Sequence, residues 1–373
     1  MRHYRQTLIR ISPVFCHNLC LLPEQLVRGA VFPDIYNSMC KYNHLNTEDL
    51  KKRLAAENFE RQTMSFYRYV SIPEPEDFRN KLFEKLFSLE CLGRIYIAKE
   101  GINAQMNFPA HHRSSLMEYV DLLPELQSVP IKWALQDHCE SFYKLIVKVR
   151  KKIVADGLDD GAFDTTNIGQ HLTATEFHKA MDQPGVVVVD MRNNYESEVG
   201  RFENAICPDA VTFREELNMV TRILEDKKDA PVLLYCTGGI RCEKASAYLR
   251  HHGFRNVSQL YGGIIDYARQ IRETGQSSRF IGKNFVFDNR LGERITNDVI
   301  AHCHQCGTMC DTHVNCANDQ CHMLFIQCEA CASKYQECCS DDCIQILLHN
   351  SGEIPITQPG KKWRRRTGEV IRL

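Results

Sequence analysis

Two uninterrupted apolar runs set the frame for this chain. The segments "VVVVD", residues 186–190, and "PVLLYC", residues 231–236, carry no polar face. A strand without a polar face is buried on both sides, as in a parallel sheet covered by helices above and below. The neighbouring sequence supplies such helices. "TATEFHKAMD" has Thr173 or Thr175 as its cap and Pro184-Gly185 behind it, and "TFREELNMVTRILED" and "EKASAYLRHHGF" follow. "VSQLYGG" reads as a third strand. Strands alternating with helices every roughly 15–25 residues predict a doubly wound parallel sheet over residues 171–276. Ligands bind such sheets at the carboxyl ends of the strands, which is where Cys236 falls.

Upstream, the periodicity changes. "SFYRYVSI" alternates and is closed by Pro73 and Pro75. "PEDFRNKLFEKLFSLE" sets Phe78, Leu82, Phe83, Leu86 and Leu89 at helical spacing. "GRIYIAKEGINAQMNF" holds two short apolar runs broken at a turn containing Gly101, a hairpin signal. "RSSLMEYVDLL" is a second helix and "SFYKLIVKVRKKIV" a closing strand. This β-α-β-β-α-β order predicts a ferredoxin-like (acylphosphatase-like) domain over residues 44–155, with a linker at 156–170. The polar triplet Glu100, Gly101 and Asn103 at the hairpin turn either touches RNA or the Cys236 loop, or only forms the turn. Residues 1–43 form an extension that is basic and has no acid before Glu24. It reads as a transit-like segment or as the result of an early start, and soluble-looking sequence directly after Met39 favours translation from that residue.

No apolar run reaches the ~18–20 residues of a membrane span. The net charge of −1 gives no overall bias toward nucleic acid, so such binding must come from local patches. The 18 cysteines are the outlier, and ten of them lie between Cys303 and Cys343. Clustered in C-x-x-C pairs at one end of a long chain, they point to metal ligation in a reducing, cytoplasmic compartment rather than to a secreted disulfide scaffold.

After Cys236 come Thr237, Gly238, Gly239, Ile240 and Arg241, and then a helix. Glycines let the backbone curl so that several N–H groups face one point at a helix N-terminus. A thiol there is favoured as the thiolate, the form that reacts. Arg241 adds a positive charge. Tyrosine phosphatases place five residues between cysteine and arginine; here there are four, and Cys242 stands where the phosphatase arginine would be. The shorter loop suits a smaller species, such as the terminal sulfur of a persulfide. Against this stands a purely structural buried cysteine. Cys242 is a possible resolving thiol for an oxidised Cys236, or a packing residue on the helix.

The loop resembles that of the rhodanese family, whose active cysteine heads such a turn. "VVVVDMRNNYESEVGRFENA" supports the likeness, with Asp190 and Arg192 after the strand, Glu196 in a supporting place, and Gly200. Many rhodaneses have His and Gly where this chain has Arg201 and Asn204. Together, "YCTGGIRCEKASAYL", "DMRNNYESEVGRFENAICPDAVTFREEL", "AKEGINAQ", "IVADG" and "RFIGKNFVFDNRLGERI" resemble the rhodanese-type tRNA uridine 5-hydroxylases over residues ~44 to ~345. That resemblance implies formation of 5-hydroxyuridine at tRNA position 34 with molecular oxygen as co-substrate, tRNA as partner, and Cys236 as the active cysteine. No flavin or nucleotide motif is seen. The runner-up is a sulfurtransferase carrying a persulfide on Cys236, and a third class is a non-catalytic redox or RNA-binding module.

The Cys-rich region, 277–345, holds the knuckles Cys303/Cys306 and Cys328/Cys331, each able to give two thiolates to a tetrahedral ion. Cys316, Cys321, Cys339 and Cys343 are candidates to complete the sites, with Cys310, Cys338, His302, His304 and His322 in reserve. The region has few large apolar residues apart from "MLFI", so a structural zinc, bound with an apparent ~10–16 kcal/mol in zinc-finger peptides, would supply free energy that a small core does not. Spacing does not fix the pairing, and a disulfide cluster or an unmetallated module are the alternatives. The tail, 346–373, sets Lys361, Lys362, Arg364, Arg365 and Arg366 around Trp363, suited to phosphate contact and base stacking or to a solubilising role alone. Lys148, Arg150, Lys151 and Lys152 form a second basic patch near the linker.

Overall fold

The computed structural model describes residues 47–135, 141–159 and 161–349, and a short strand pair, β15 (Trp363–Arg364) with β16 (Val370–Ile371). Helix α1 (Thr47–Ala55) belongs to one unit, Met1–Glu57, and carries Glu48 and Asp49 in its first turn and Lys52 and Arg53 in its last, in the sense that complements the helix dipole. Asn58 onward forms the second unit, so the division falls inside the stretch assigned from sequence to the ferredoxin-like domain. Among the described residues no helix is long and apolar enough to cross a membrane.

The second unit opens with β1 (Arg61–Tyr69), α2 (Pro75–Ser88), β2 (Leu92–Ala98), β3 (Gly101–Pro109), α3 (Arg113–Leu122), β4 (Lys132–Trp133) and β5 (Leu145–Val149). The sheet order is β4-β1-β3-β2-β5, with β3 antiparallel to both β1 and β2. That is the split β-α-β core expected from sequence, with one difference. The closing strand β5 lies parallel to β2 at one edge, while the two-residue β4, not foreseen, pairs with β1 at the other. Helix α2 starts with Pro75 at its first turn and buries Leu82 and Leu86, with Phe78 and Phe83 partly buried against the same core. Each fully buried leucine contributes about 1.5–3 kcal/mol. The β2–β3 turn needs its glycine, because Gly101 has φ +144° and a Cβ there would sit 2.0 Å from the Arg68 carbonyl oxygen.

The parallel sheet is β6-β10-β9-β7, built from β6 (Gln170–Leu172), β7 (Val187–Asp190), β9 (Val232–Tyr235) and β10 (Val257–Leu260). Every pairing in it is parallel. Helices α4 (Ala174–Ala180), α5 (Asn194–Val199), α6 (Phe213–Ile223), α7 (Ile240–His251) and α8 (Gly263–Thr274) accompany it. Thr173 is the cap of α4, in a reciprocal capping box with Glu176. The apolar runs lie at the centre, where Val189, Val232, Leu234 and Cys236 share one core with α6 and α7. On the opposite face, Leu233 and Tyr235 pack with Phe177, Phe202 and Tyr267.

A third sheet, β12-β11-β8, joins β8 (Gly200–Phe202) to β11 (Phe280–Asn284) and β12 (Glu293–Arg294). It ties the Cys-rich region back to the parallel-sheet domain. Beyond it are the hairpin β13 (His313–Asn315) and β14 (Leu324–Ile326), then α9 (Glu329–Tyr335) and α10 (Asp341–His349).

Candidate active site

Strand β9 delivers Cys236 to the carboxyl end of the parallel sheet, and α7 begins four residues later. The Gly239 N–H donates to Cys236 Sγ at 3.1 Å, with Gly239 in the left-handed region at φ +98°. Burial pushes the Cys236 thiol up. The Cys242 thiol, the Arg241 guanidinium and the backbone N–H groups of Cys242 and Arg241 outweigh it, so the pKa settles at about 6. The curled amides and Arg241 thus favour the thiolate form of Cys236. A second glycine pair shapes the loop from beneath. Gly263, at φ +67°, lies where a Cβ would meet the carbonyl oxygens of Cys236 and Thr237 at 2.6 Å. The N–H groups of Ile264 and Ile265 donate to those carbonyls at 3.0 and 3.2 Å.

Arg241 does not face outward. Its two terminal nitrogens donate to the Glu196 carboxylate at 2.5 and 2.9 Å, and the Thr237 hydroxyl donates to the same carboxylate at 3.1 Å. Glu196 is fully buried and also accepts from the Asn193 N–H at 3.1 Å, so one carboxylate fixes both the loop arginine and the start of α5. Asp190 and Arg192 form a separate buried pair at 2.6 and 2.8 Å. Arg192 also donates to the Gly200 carbonyl, and the Tyr235 hydroxyl donates to Asp190. These two residues brace β7 against β8, away from the thiol. Cys242 lies in the first turn of α7, fully buried, with burial and the neighbouring Cys236 thiolate pushing its own thiol well up. Asn204 sits at φ +57°, so asparagine fills a left-handed position that glycine would also suit.

Several groups at the site come from residues the sequence did not single out. Tyr67 of β1 lies on the loop, 2.8 Å from where a Gly239 Cβ would be, and its hydroxyl donates to Glu243 at 2.9 Å. Glu243 also pairs with His171 at 2.9 Å and accepts from Gln259 at 3.1 Å. Lys132 of β4 places its ammonium 4.4 Å from the centre of the Tyr67 ring. Glu100 contacts Lys244 of α7 at 2.9 Å, and Lys244 also meets Asp156 at 2.7 Å, so the hairpin turn and the linker both grip the helix that follows the cysteine. Tyr69 donates to the Ile240 carbonyl at 3.3 Å. The first domain thus forms one wall of the site. Glu216 of α6 is fully buried, among the described residues both its carboxylate oxygens lack a hydrogen-bond partner, and burial pushes its pKa well above its ordinary value.

The cysteines gather into two groups of four, Cys303, Cys306, Cys328 and Cys331, and Cys316, Cys321, Cys339 and Cys343. Within each group the sulfurs all lie within 4.8 Å of one another. The first and third pairs along the chain make one group, the second and fourth the other. Sulfur separations of 3.6 Å (Cys306–Cys328) and 3.7 Å (Cys321–Cys339 and Cys339–Cys343) match the roughly 3.8 Å edge of a thiolate tetrahedron around a zinc at ~2.3 Å. The Cys339 N–H donates to Cys316 Sγ at 3.4 Å. The reserve ligands fall outside both groups. Cys310 donates to the Gln327 carbonyl at 3.3 Å and His304 pairs with Glu198 at 2.8 Å. Cys338, His302 and His322 join neither group.

Lys148, Arg150 and Lys151 are exposed on and beside the edge strand β5. Lys152 is turned to Asp156 at 2.9 Å and serves the linker instead. Lys361, Lys362, Arg365 and Arg366 lie outside the described residues, as do the side chains of Trp363 and Arg364. The extension 1–43 and Met39 also lie outside them.

A buried cysteine heading a Gly-Gly loop at the carboxyl end of a parallel-sheet strand is the arrangement of a rhodanese-type domain. A family model described as a rhodanese-like domain matches residues 173–270, a UPF0176 acylphosphatase like domain matches 61–153, and a rhodanase C-terminal model matches 281–344. A protein of Leptospira interrogans serogroup Icterohaemorrhagiae serovar Lai, named tRNA uridine(34) hydroxylase, is 52% identical over 306 residues, covering 82% of this chain and 83% of its own. A protein of the same name from Photorhabdus laumondii subsp. laumondii is 52% identical over 305 residues, covering 81% of this chain and 86% of its own. The chain belongs to the tRNA uridine(34) hydroxylase family.

Proposed function

We propose that this protein hydroxylates C5 of uridine 34 in tRNA, with Cys236 as nucleophile and molecular oxygen as oxidant. The observation that carries the reading is the identity to relatives named for uridine 34 hydroxylation, which runs through both walls of the thiolate site. Addition of the Cys236 thiolate to C6 forms an S–C6 bond and shifts the C5=C6 electron pair through C4 onto O4. C5 of that enolate is then electron-rich. Oxygen adds to C5 as a hydroperoxide, and loss of the C5 proton expels the Cys236 thiolate from C6 and restores the C5=C6 bond. The freed thiolate takes the distal oxygen, which leaves a hydroxyl on C5, and a second thiol displaces that oxygen as water on forming a disulfide, so two thiols supply the two electrons and two protons. Cys242, whose thiol lies beside Cys236, is the resolving thiol in this scheme. The sulfurtransferase alternative uses the same thiolate but assigns no role to the first domain's wall.

The two four-cysteine groups would hold structural zinc. Their donor set and spacing support that choice, and the zinc supplies folding free energy there rather than chemistry. Lys148, Arg150 and Lys151 with the basic tail would contact tRNA phosphates, and a tRNA substrate agrees with a cytoplasmic location. The parsing 44–155, 156–170, 171–276, 277–345 and 346–373 is supported by the matched spans 61–153, 173–270 and 281–344, each of which falls within one part of it.

The test is nucleoside mass spectrometry of tRNA from cells lacking every route to 5-hydroxyuridine, complemented with the wild-type chain or Cys236→Ser. Restoration by the wild type and loss in the variant are expected. Full activity in Cys236→Ser would remove the nucleophile from the scheme.

A further inference from the structure

The cations around the thiolate fall into two kinds. Arg241 is neutralised by Glu196, and Lys244 by Glu100 and Asp156. Lys132 differs. It is 8% exposed, and among the described residues its ammonium makes no hydrogen bond and no ion pair. The ammonium stands 4.4 Å from the centre of the Tyr67 ring. Its Cδ lies 3.8 Å from where a Gly238 Cβ would be, so the side chain runs directly over the Cys236 loop. An ammonium on a largely buried side chain, with donors not taken up by a protein acceptor, is placed to meet an anion at the loop. Burial pushes Lys132 down to about 8, opposed by Asp266 of α8, Cys236, and Glu243 of α7.

On the hydroxylation reading given above, we propose that Lys132 is a catalytic residue supplied by the acylphosphatase-like domain, whose ammonium takes the O4 oxyanion of the uracil ring as Cys236 adds to C6. Tyr67, fixed by its bond to Glu243, gives the flat face against which the ring lies. The step balances within the site: the sulfur lone pair becomes the S–C6 bond, the C5=C6 pair moves onto O4, and the Lys132 N–H donates to that oxygen. A rhodanese that only shuttles sulfur has no such oxyanion to hold.

The experiment uses the full chain, tRNA bearing unmodified uridine 34, and nucleoside mass spectrometry, with Lys132→Met and Lys132→Arg. Among the described residues the Lys132 ammonium has no hydrogen-bond or ion-pair partner to leave stranded, so Lys132→Met is expected to melt at or above the wild-type temperature. Its kcat should fall about 100-fold or more, the range for loss of one oxyanion donor, with KM for tRNA within about threefold. The wild-type rate should decline as pH rises through about 8, where the ammonium, lying against the Tyr67 ring, titrates in the field of Asp266, Cys236 and Glu243. Lys132→Arg, which stays charged, should keep partial activity and lose that decline. Turnover of Lys132→Met within about threefold of wild type, or an unchanged alkaline decline in Lys132→Arg, overturns the assignment. A wild-type chain that leaves uridine 34 unmodified overturns the parent reading instead. Lys132 is then judged on Cys236 alone, by the rate with iodoacetate relative to iodoacetamide. A fall of about fivefold or more in that ratio in Lys132→Met, restored in Lys132→Arg, supports an anion-holding role, and an unchanged ratio refutes it.

Discussion

Glu196→Gln separates the two tasks of the buried Glu196–Arg241 pair. The side chains are 0% and 9% exposed and meet through two hydrogen bonds of 2.5 and 2.9 Å. Glutamine keeps the shape and one acceptor but removes the charge, leaving the guanidinium buried and unneutralised. Breaking a buried pair from one side costs about 3–5 kcal/mol, and the retained amide oxygen places this variant near 3 kcal/mol. That is roughly a 10²-fold fall in the folding equilibrium constant. The thiolate should move the other way. Arg241 already draws the Cys236 pKa down, and without Glu196 its full charge acts on the sulfur, lowering the pKa from about 6 by roughly one unit. Urea unfolding followed by circular dichroism reads the first quantity, and the pH dependence of Cys236 alkylation reads the second. A second variant, Glu196→Gln with Arg241→Met, should recover much of the stability while raising the thiol toward its ordinary value. Unchanged stability in Glu196→Gln, or a Cys236 pKa that rises, would refute the electrostatic account of the loop.

In the wild type, the alkylation rate of Cys236 should climb about tenfold per pH unit below about pH 6 and level off above it, because the reactive thiolate is lost as pH falls through the folded pKa; a midpoint near 8.5 would mean the loop does not activate it. Gly263→Ala should lower stability by more than about 1–2 kcal/mol and slow alkylation, since the new Cβ enters the left-handed region against the Cys236 and Thr237 carbonyls; an unchanged melting temperature would contradict that. Elemental analysis should find two zinc ions per chain, and Cys328→Ser or Cys343→Ser should each remove one; an undiminished content would break the grouping of four and four. Replacing Lys148, Arg150 and Lys151 with alanine should weaken tRNA binding and reduce the salt slope of log K by about 2 to 3, whereas an unchanged slope would move the contact elsewhere.

What was legible in the sequence was what is encoded locally. The apolar runs at β7 and β9 announce burial on both faces, and Cys236 to Arg241 announces a curled loop within six residues. What was not legible depends on register. Lys132 lies on a two-residue strand with no periodicity to detect, and it reaches the loop only because Ser65 is its partner on β1. Tyr67 reads in sequence as one more residue of an alternating strand. Helix α8 follows directly on "LYGG", and nothing in that sequence marks the close approach of Gly263 to the Cys236 and Thr237 carbonyls. In the Cys-rich region the C-x-x-C spacing marks the knuckles Cys303/Cys306 and Cys328/Cys331, but the fold brings those two together and sets Cys316 and Cys321, from between them in the chain, with Cys339 and Cys343.

The same contrast explains how the site is held. Within the parallel-sheet domain the loop is set by short-range chemistry, amides and glycines that act over a few residues. The contacts that turn it into a two-walled site run between residues distant in sequence, from Glu100 to Lys244, from Tyr67 to Glu243 and from Asp156 to Lys244. Lys244 is 2% exposed, and its two carboxylate partners come from the hairpin turn of the first domain and from the linker. Removing either partner leaves a buried charge short of its neutralisation, at a cost set by desolvation rather than by the strength of one contact. The helix carrying the loop is therefore fastened to the acylphosphatase-like domain by the requirement to neutralise Lys244, and this fastening brings Tyr67 and Lys132 over the thiolate.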